Sequence, residues 1–95
     1  MKILASDQVQ AWLIALPPDT KKRVRAALRE LEHNQGDIKA LGGELEGFCR
    51  LRIGGLRIVY SQHRGQIIRL EYADSRDLVY ETFLRILDER KTGSS

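Results

Sequence analysis

Three runs of alternating apolar residues, separated by two glycine-bearing turns, restrict this chain more than any other feature. Cys49, Leu51 and Ile53 form the first run. Leu56, Ile58 and Tyr60 form the second, and Ile68, Leu70 and Tyr72 the third. A period of two marks strands with one buried face. Gly54-Gly55 separates the first two runs as a two-residue hairpin turn. That turn sets Ile53 opposite Leu56, Arg52 opposite Arg57, and Leu51 opposite Ile58. A three-residue loop over His63-Arg64-Gly65 sets Tyr60 opposite Ile68, Ile58 opposite Leu70, and Arg57 opposite Glu71. Both registers keep the apolar set on one face, as sheet register requires.

The flanking segments read as one strand and three helices. Lys2 to Ala5 is a short first strand. Asp7 caps a helix, with Gln10 as its capping-box partner, and Val9, Trp12, Leu13 and Leu16 share one face. Pro17-Pro18 breaks that helix, and Pro18 or Asp19 opens a second. Val24, Leu28 and Leu31 form its apolar stripe, and Lys21, Lys22, Arg23, Arg25 and Arg29 lie mostly on its solvated side. Asn34-Gln35-Gly36 ends it. The stretch from Asp37 to Gly47 reads as a loop. Asp74 or Ser75 caps a last helix, which buries Val79, Phe83, Ile86 and Leu87.

The expected class is α+β: an N-terminal strand and helical hairpin packed on an antiparallel sheet, with a C-terminal helix. A chain of 95 residues holds one domain, expected over residues 1–90, with 91–95 a disordered polar tail. No stretch reaches the roughly 18 apolar residues of a membrane span, and Met1 to Asp7 has no signal-peptide core. Cys49 is alone and faces the core, and nothing resembles a metal-ligand or cofactor-binding set. These readings place the protein in the cytoplasm.

Charge is concentrated. From Phe48 to Ala73 there are five arginines against one acid, Glu71, in a chain whose net charge is +3. The sheet face opposite the apolar set carries Phe48, Arg50, Arg52, Arg57, Val59, Arg69 and Glu71. Arg52, Arg57 and Glu71 form one row, with Glu71 offsetting the like charges and orienting Arg57. Such a row also occurs on solvated faces as simple ion pairs. Arginine at every basic position, and no lysine, favours phosphate recognition. Arg76 and Tyr80 share a face of the last helix and stand at the same end. An exposed Phe48 would stack a base, and Arg69 would add an RNA contact.

The run Leu41-Gly42-Gly43-Glu44-Leu45-Glu46-Gly47-Phe48-Cys49-Arg50-Leu51-Arg52-Ile53-Gly54-Gly55-Leu56-Arg57-Ile58-Val59-Tyr60 resembles the RelE/ParE superfamily of bacterial toxins. It matches that family's leucine–glycine loop, its G-aromatic-x-R-L-R and its R-I-V-Y. Ser75-Arg76-Asp77-Leu78-Val79-Tyr80 resembles the closing H-R-x-x-x-Y, with serine in place of histidine. The resemblance implies the toxin half of a toxin–antitoxin pair, with a cognate antitoxin as partner. RelE-like members cleave mRNA on the ribosome without a metal, which implies catalytic roles for Arg50, Arg52, Arg57, Arg76 and Tyr80. ParE-like members instead poison DNA gyrase. In the ribonuclease reading a 2′-hydroxyl attacks the adjacent phosphate. Arginine cannot serve as the base, so Tyr80, its phenol acidified by guanidinium groups, or Glu71 must. His33 and His63 are expected far from the site.

Overall fold

The computed structural model describes residues 2–75 and 78–93. The Gly54-Gly55 turn closes with Gly54 at φ 59, the left-handed value a glycine accepts without strain. It joins β3 (Phe48–Ile53) to β4 (Leu56–His63), with Ile53 opposite Leu56, Arg52 opposite Arg57 and Leu51 opposite Ile58, as expected. β5 (Ile67–Asp74) pairs antiparallel with β4. β1 (Lys2–Ala5) pairs parallel with β5.

The segment expected as loop contains another strand. β2 (Asp37–Ala40) pairs with β3, setting Asp37 opposite Arg52 and Lys39 opposite Arg50. The sheet therefore has five strands in the order β1-β5-β4-β3-β2. Edge strands this short carry little pattern of their own, and Ile38 is the one apolar residue of β2 that packs on the core.

The β4–β5 register also differs from expectation. The loop is Arg64 to Gln66, with Gly65 at φ 81 and Gln66 at φ 59, so His63 faces Ile67 and Tyr60 faces Leu70. A bulge then inserts Glu71, after which Val59 faces Tyr72 and Arg57 faces Asp74. A bulge moves every later side chain to the other face. Ala73, not Tyr72, joins the first core, and Tyr72 joins the second.

Side chains from the start of α1 (Asp7–Ala15) hold this bulge. β1 stops at Ala5, and beyond it no strand among the described residues pairs with the outer edge of β5. The Gln8 side chain fills that place. Its Nε2 donates to the Ala73 carbonyl at 2.8 Å, and its Oε1 accepts from the Ala73 N–H at 2.9 Å. Ser6 Oγ donates to the Glu71 carbonyl at 2.9 Å. Ser6 is also the cap of α1, accepting from the Val9 N–H, the role expected of Asp7. Gln8→Ala strands two backbone groups at once. It is expected to cost about 1–3 kcal/mol in urea unfolding, and a loss below about 0.5 kcal/mol would show that the bulge holds itself.

α1 and α2 (Pro18–Leu31) cover one sheet face, enclosing Val9, Val24, Leu31, Leu51, Ile58, Tyr60, Ile68 and Leu70. Burial and the neighbouring Cys49 keep the Tyr60 phenol protonated well above its ordinary range. α3 (Val79–Gly93) covers the other face over a smaller core of Leu45, Val59, Val79 and Phe83. It runs past Arg90, so residues 91–93, expected in a disordered tail, continue the helix. Arg90 and Lys91 in its last turn suit the negative end of the helix dipole. Neither Asp74 nor Ser75 stands at its cap. Asp74 closes β5 and accepts from the Ser75 N–H at 2.6 Å. No helix among the described residues is long and apolar enough to cross a membrane.

Candidate functional site

Alternation sends Arg50 and Arg52 of β3 and Arg57 of β4 to the face that carries α3. There they line a cleft of about 590 Å³. Tyr80, in the first turn of α3, forms part of its wall, and Lys39, Leu41, Gly42 and Leu45 complete it. β2 supplies Lys39, the 3-10 turn at Gly43–Leu45 supplies Leu45, and the two residues between them supply Leu41 and Gly42. Lys39 was not expected here, because its segment reads as loop.

Arg50 is held apart from Arg52 and Arg57, which share an acceptor. Arg50 is 9% exposed. Its Nη2 meets Asp37 Oδ1 at 3.2 Å, and its buried Nε has no hydrogen-bond partner. Arg52 Nε and Arg57 Nη1 both donate to the Gly54 carbonyl, at 3.2 and 3.4 Å. The turn that places these two cations side by side thus also supplies an oxygen that both share. Three guanidinium groups around one open cleft suit a polyanion, and their planar forks suit phosphate oxygens.

Glu71 lies elsewhere. Its Oε1 is 3.4 Å from Arg69 Nε, and its Oε2 accepts from Ser61 Oγ at 2.7 Å. Ser61 Oγ is in turn 2.8 Å from His63 Nε2. The bulge and the shifted register put Asp74, not Glu71, opposite Arg57, so the expected row of Arg52, Arg57 and Glu71 does not form. Arg69 and Glu71 instead line a second cavity of about 460 Å³ between β1, β5 and α3, with Leu4, Tyr72, Ile86 and Arg90. Phe48, expected to be exposed, is half-buried. Its ring meets Phe83 edge-on at 5.0 Å, because α3 covers the face it points to. Arg76 lies outside the described residues. Among those described, no group of three or more His, Cys, Asp or Glu side chains is placed to hold a metal ion.

Comparison of structures decides the fold. A chain of the RelB-RelE antitoxin-toxin complex from Methanococcus jannaschii superposes with a TM-score of 0.65 at 22% identity, over 84% of this chain and 98% of that one. A chain of the archaeal RelE-RelB complex from Pyrococcus horikoshii OT3 gives 0.65 at 22% identity, over 80% and 94%. The fold is RelE-like. The YoeB-YefM toxin-antitoxin complex from Staphylococcus aureus extends the likeness, at 0.63 and 19% identity over 78% and 94%. No family model matches the sequence, and no curated protein is significantly similar to it. The RelE-like fold agrees with the α+β architecture expected from the sequence, with β2 as the added strand.

Proposed function

We propose that this chain is the toxin of a toxin–antitoxin pair, a cytoplasmic endoribonuclease that cleaves mRNA on the ribosome and so stops translation. The observation that carries the reading is the cleft where Arg50, Arg52 and Arg57 converge beside Tyr80. Its RelE-like setting supports the reading, since the similar structures are toxin–antitoxin complexes. A cognate antitoxin would cover this dense positive surface until the toxin is released.

In the proposed reaction the 2′-hydroxyl of one nucleotide attacks the adjacent phosphate and the 5′-oxygen leaves. The phosphorane-like transition state gains negative charge, and three fixed guanidinium groups stabilise that charge more than they stabilise the ground state. Arg76 remains in the proposal from its place in the sequence alone. Tyr80 is the base. Glu71 is withdrawn from that role and from orienting Arg57, because Ser61 and Arg69 hold it outside the cleft. Phe48 is withdrawn as a base-stacking platform because its ring packs on Phe83. Arg69 is withdrawn from the cleft's RNA contacts because it lines the other cavity.

Brief induced expression in a bacterial host tests the reading. Growth arrest with new mRNA 5′ ends inside translated codons is expected. Arrest with intact mRNA and DNA damage would replace the ribonuclease reading with gyrase poisoning.

A further inference from the structure

We propose that Lys39 is the general acid of the cleft, giving its proton to the leaving 5′-oxygen. The assignment rests on the ribonuclease reading above and names a residue that its sequence segment, read as loop, did not suggest.

Elimination among the cleft's lining residues carries the argument. Breaking the phosphorus–O5′ bond generates an alkoxide, a poor leaving group unless protonated as it departs. An arginine side chain keeps its proton at any working pH, which removes Arg50, Arg52 and Arg57, and equally Arg76, from the role. Leu41, Gly42 and Leu45 have no acid or base to offer. Among the described residues, Lys39 and Tyr80 are the two that remain in the lining, and the reaction needs one base and one acid. A lysine ammonium is protonated at neutral pH and is ready to act as the acid.

Placement agrees with that division. Lys39 stands on the edge strand β2, exposed and opposite Arg50 in the β2–β3 register. Tyr80 comes from α3, which packs over β4 and β5. The two groups therefore reach the arginine floor from different sides. In-line displacement at phosphorus puts the attacking and leaving oxygens on opposite sides of the reacting phosphate. The Asp37–Arg50 ion pair at 3.2 Å ties β2 to β3 two residues from Lys39. It fixes the strand that carries the amine.

The step balances. The 2′-oxygen bonds to phosphorus as the phosphorus–O5′ bond breaks. Tyr80, acting as the base, takes the 2′-hydroxyl proton, and an Nζ proton passes to O5′. The products are a 2′,3′-cyclic phosphate and a 5′-hydroxyl end, and exchange with water resets both side chains.

The test is single-turnover cleavage of mRNA on programmed ribosomes by the parent protein, Lys39→Ala and Lys39→Arg. Each acts on an ordinary scissile linkage and on one whose bridging 5′-oxygen is replaced by sulfur, which leaves without protonation. On the ordinary linkage both variants are expected to lose about 10²–10⁴-fold, the usual contribution of a general acid. On the sulfur linkage both are expected to return to within about tenfold of the parent. That return also shows that the variants are folded. Full activity of Lys39→Arg on the ordinary linkage would overturn the assignment and leave Lys39 as a bare charge. Failure of the sulfur linkage to restore either variant would overturn it as well. A parent protein that cuts neither linkage would overturn the ribonuclease reading itself, and the assignment with it.

Discussion

Arg57→Ala is expected to fold as the parent does and to lose about 10²–10³-fold in single-turnover cleavage, the usual effect of removing one preorganised charge from a transition state. Arg69→Ala is expected to stay within a few-fold of the parent. The two residues are the same chemically and lie on neighbouring strands of one sheet, but only Arg57 lines the arginine cleft. Arg57 donates to the Gly54 carbonyl at 3.4 Å and to the Leu56 carbonyl at 3.5 Å, both long bonds. Rate constants, with urea midpoints as the folding control, check both variants. Equal losses would mean that the overall positive field does the work and the cleft does not.

Phe83→Ala is expected to cost about 3–5 kcal/mol, a large share of the roughly 5–15 kcal/mol that holds a domain together. Phe83 is 0% exposed, and it meets Phe48 at 5.0 Å and Tyr72 at 6.4 Å. The core beneath α3 is small, and among the described residues no other buried one in it is aromatic. The urea midpoint is expected to fall by at least about 1 M. Cleavage is expected to fall too, although Phe83 lines neither cavity, because α3 carries Tyr80 into the cleft. A variant with normal stability would show that α3 is held by something other than this aromatic cluster.

Local pattern made the β3–β4 hairpin legible: two glycines and strict alternation leave one register. It also brought Arg50, Arg52 and Arg57 to one face, and the cleft follows from that face. The β4–β5 register differs partly for a local reason, the loop falling one residue later, and partly for a non-local one. The bulge at Glu71 depends on Ser6 and Gln8, 65 residues away in sequence, and no pattern within β5 announces it. The loop at Arg64–Gln66 already takes Glu71 off Arg57, and the insertion sends Tyr72 to the other core. Phe48 was rightly placed on the arginine face, but that face is not all solvent, because α3 packs on part of it. β2 was missed because four residues with one inward apolar side chain cannot be told from loop. Asp37-Ile38-Lys39-Ala40 does alternate after Gly36, and that faint signal was the one available pointer to Lys39.

The arginine cleft is proposed to perform transesterification on mRNA. This activity is tested most directly by the chemistry of the cut ends, using purified protein, programmed ribosomes and a labelled message. The account predicts a 2′,3′-cyclic phosphate upstream and a free 5′-hydroxyl downstream, both absent with Arg57→Ala. A 5′-phosphate on the downstream fragment, or cutting undiminished in Arg57→Ala, would contradict it.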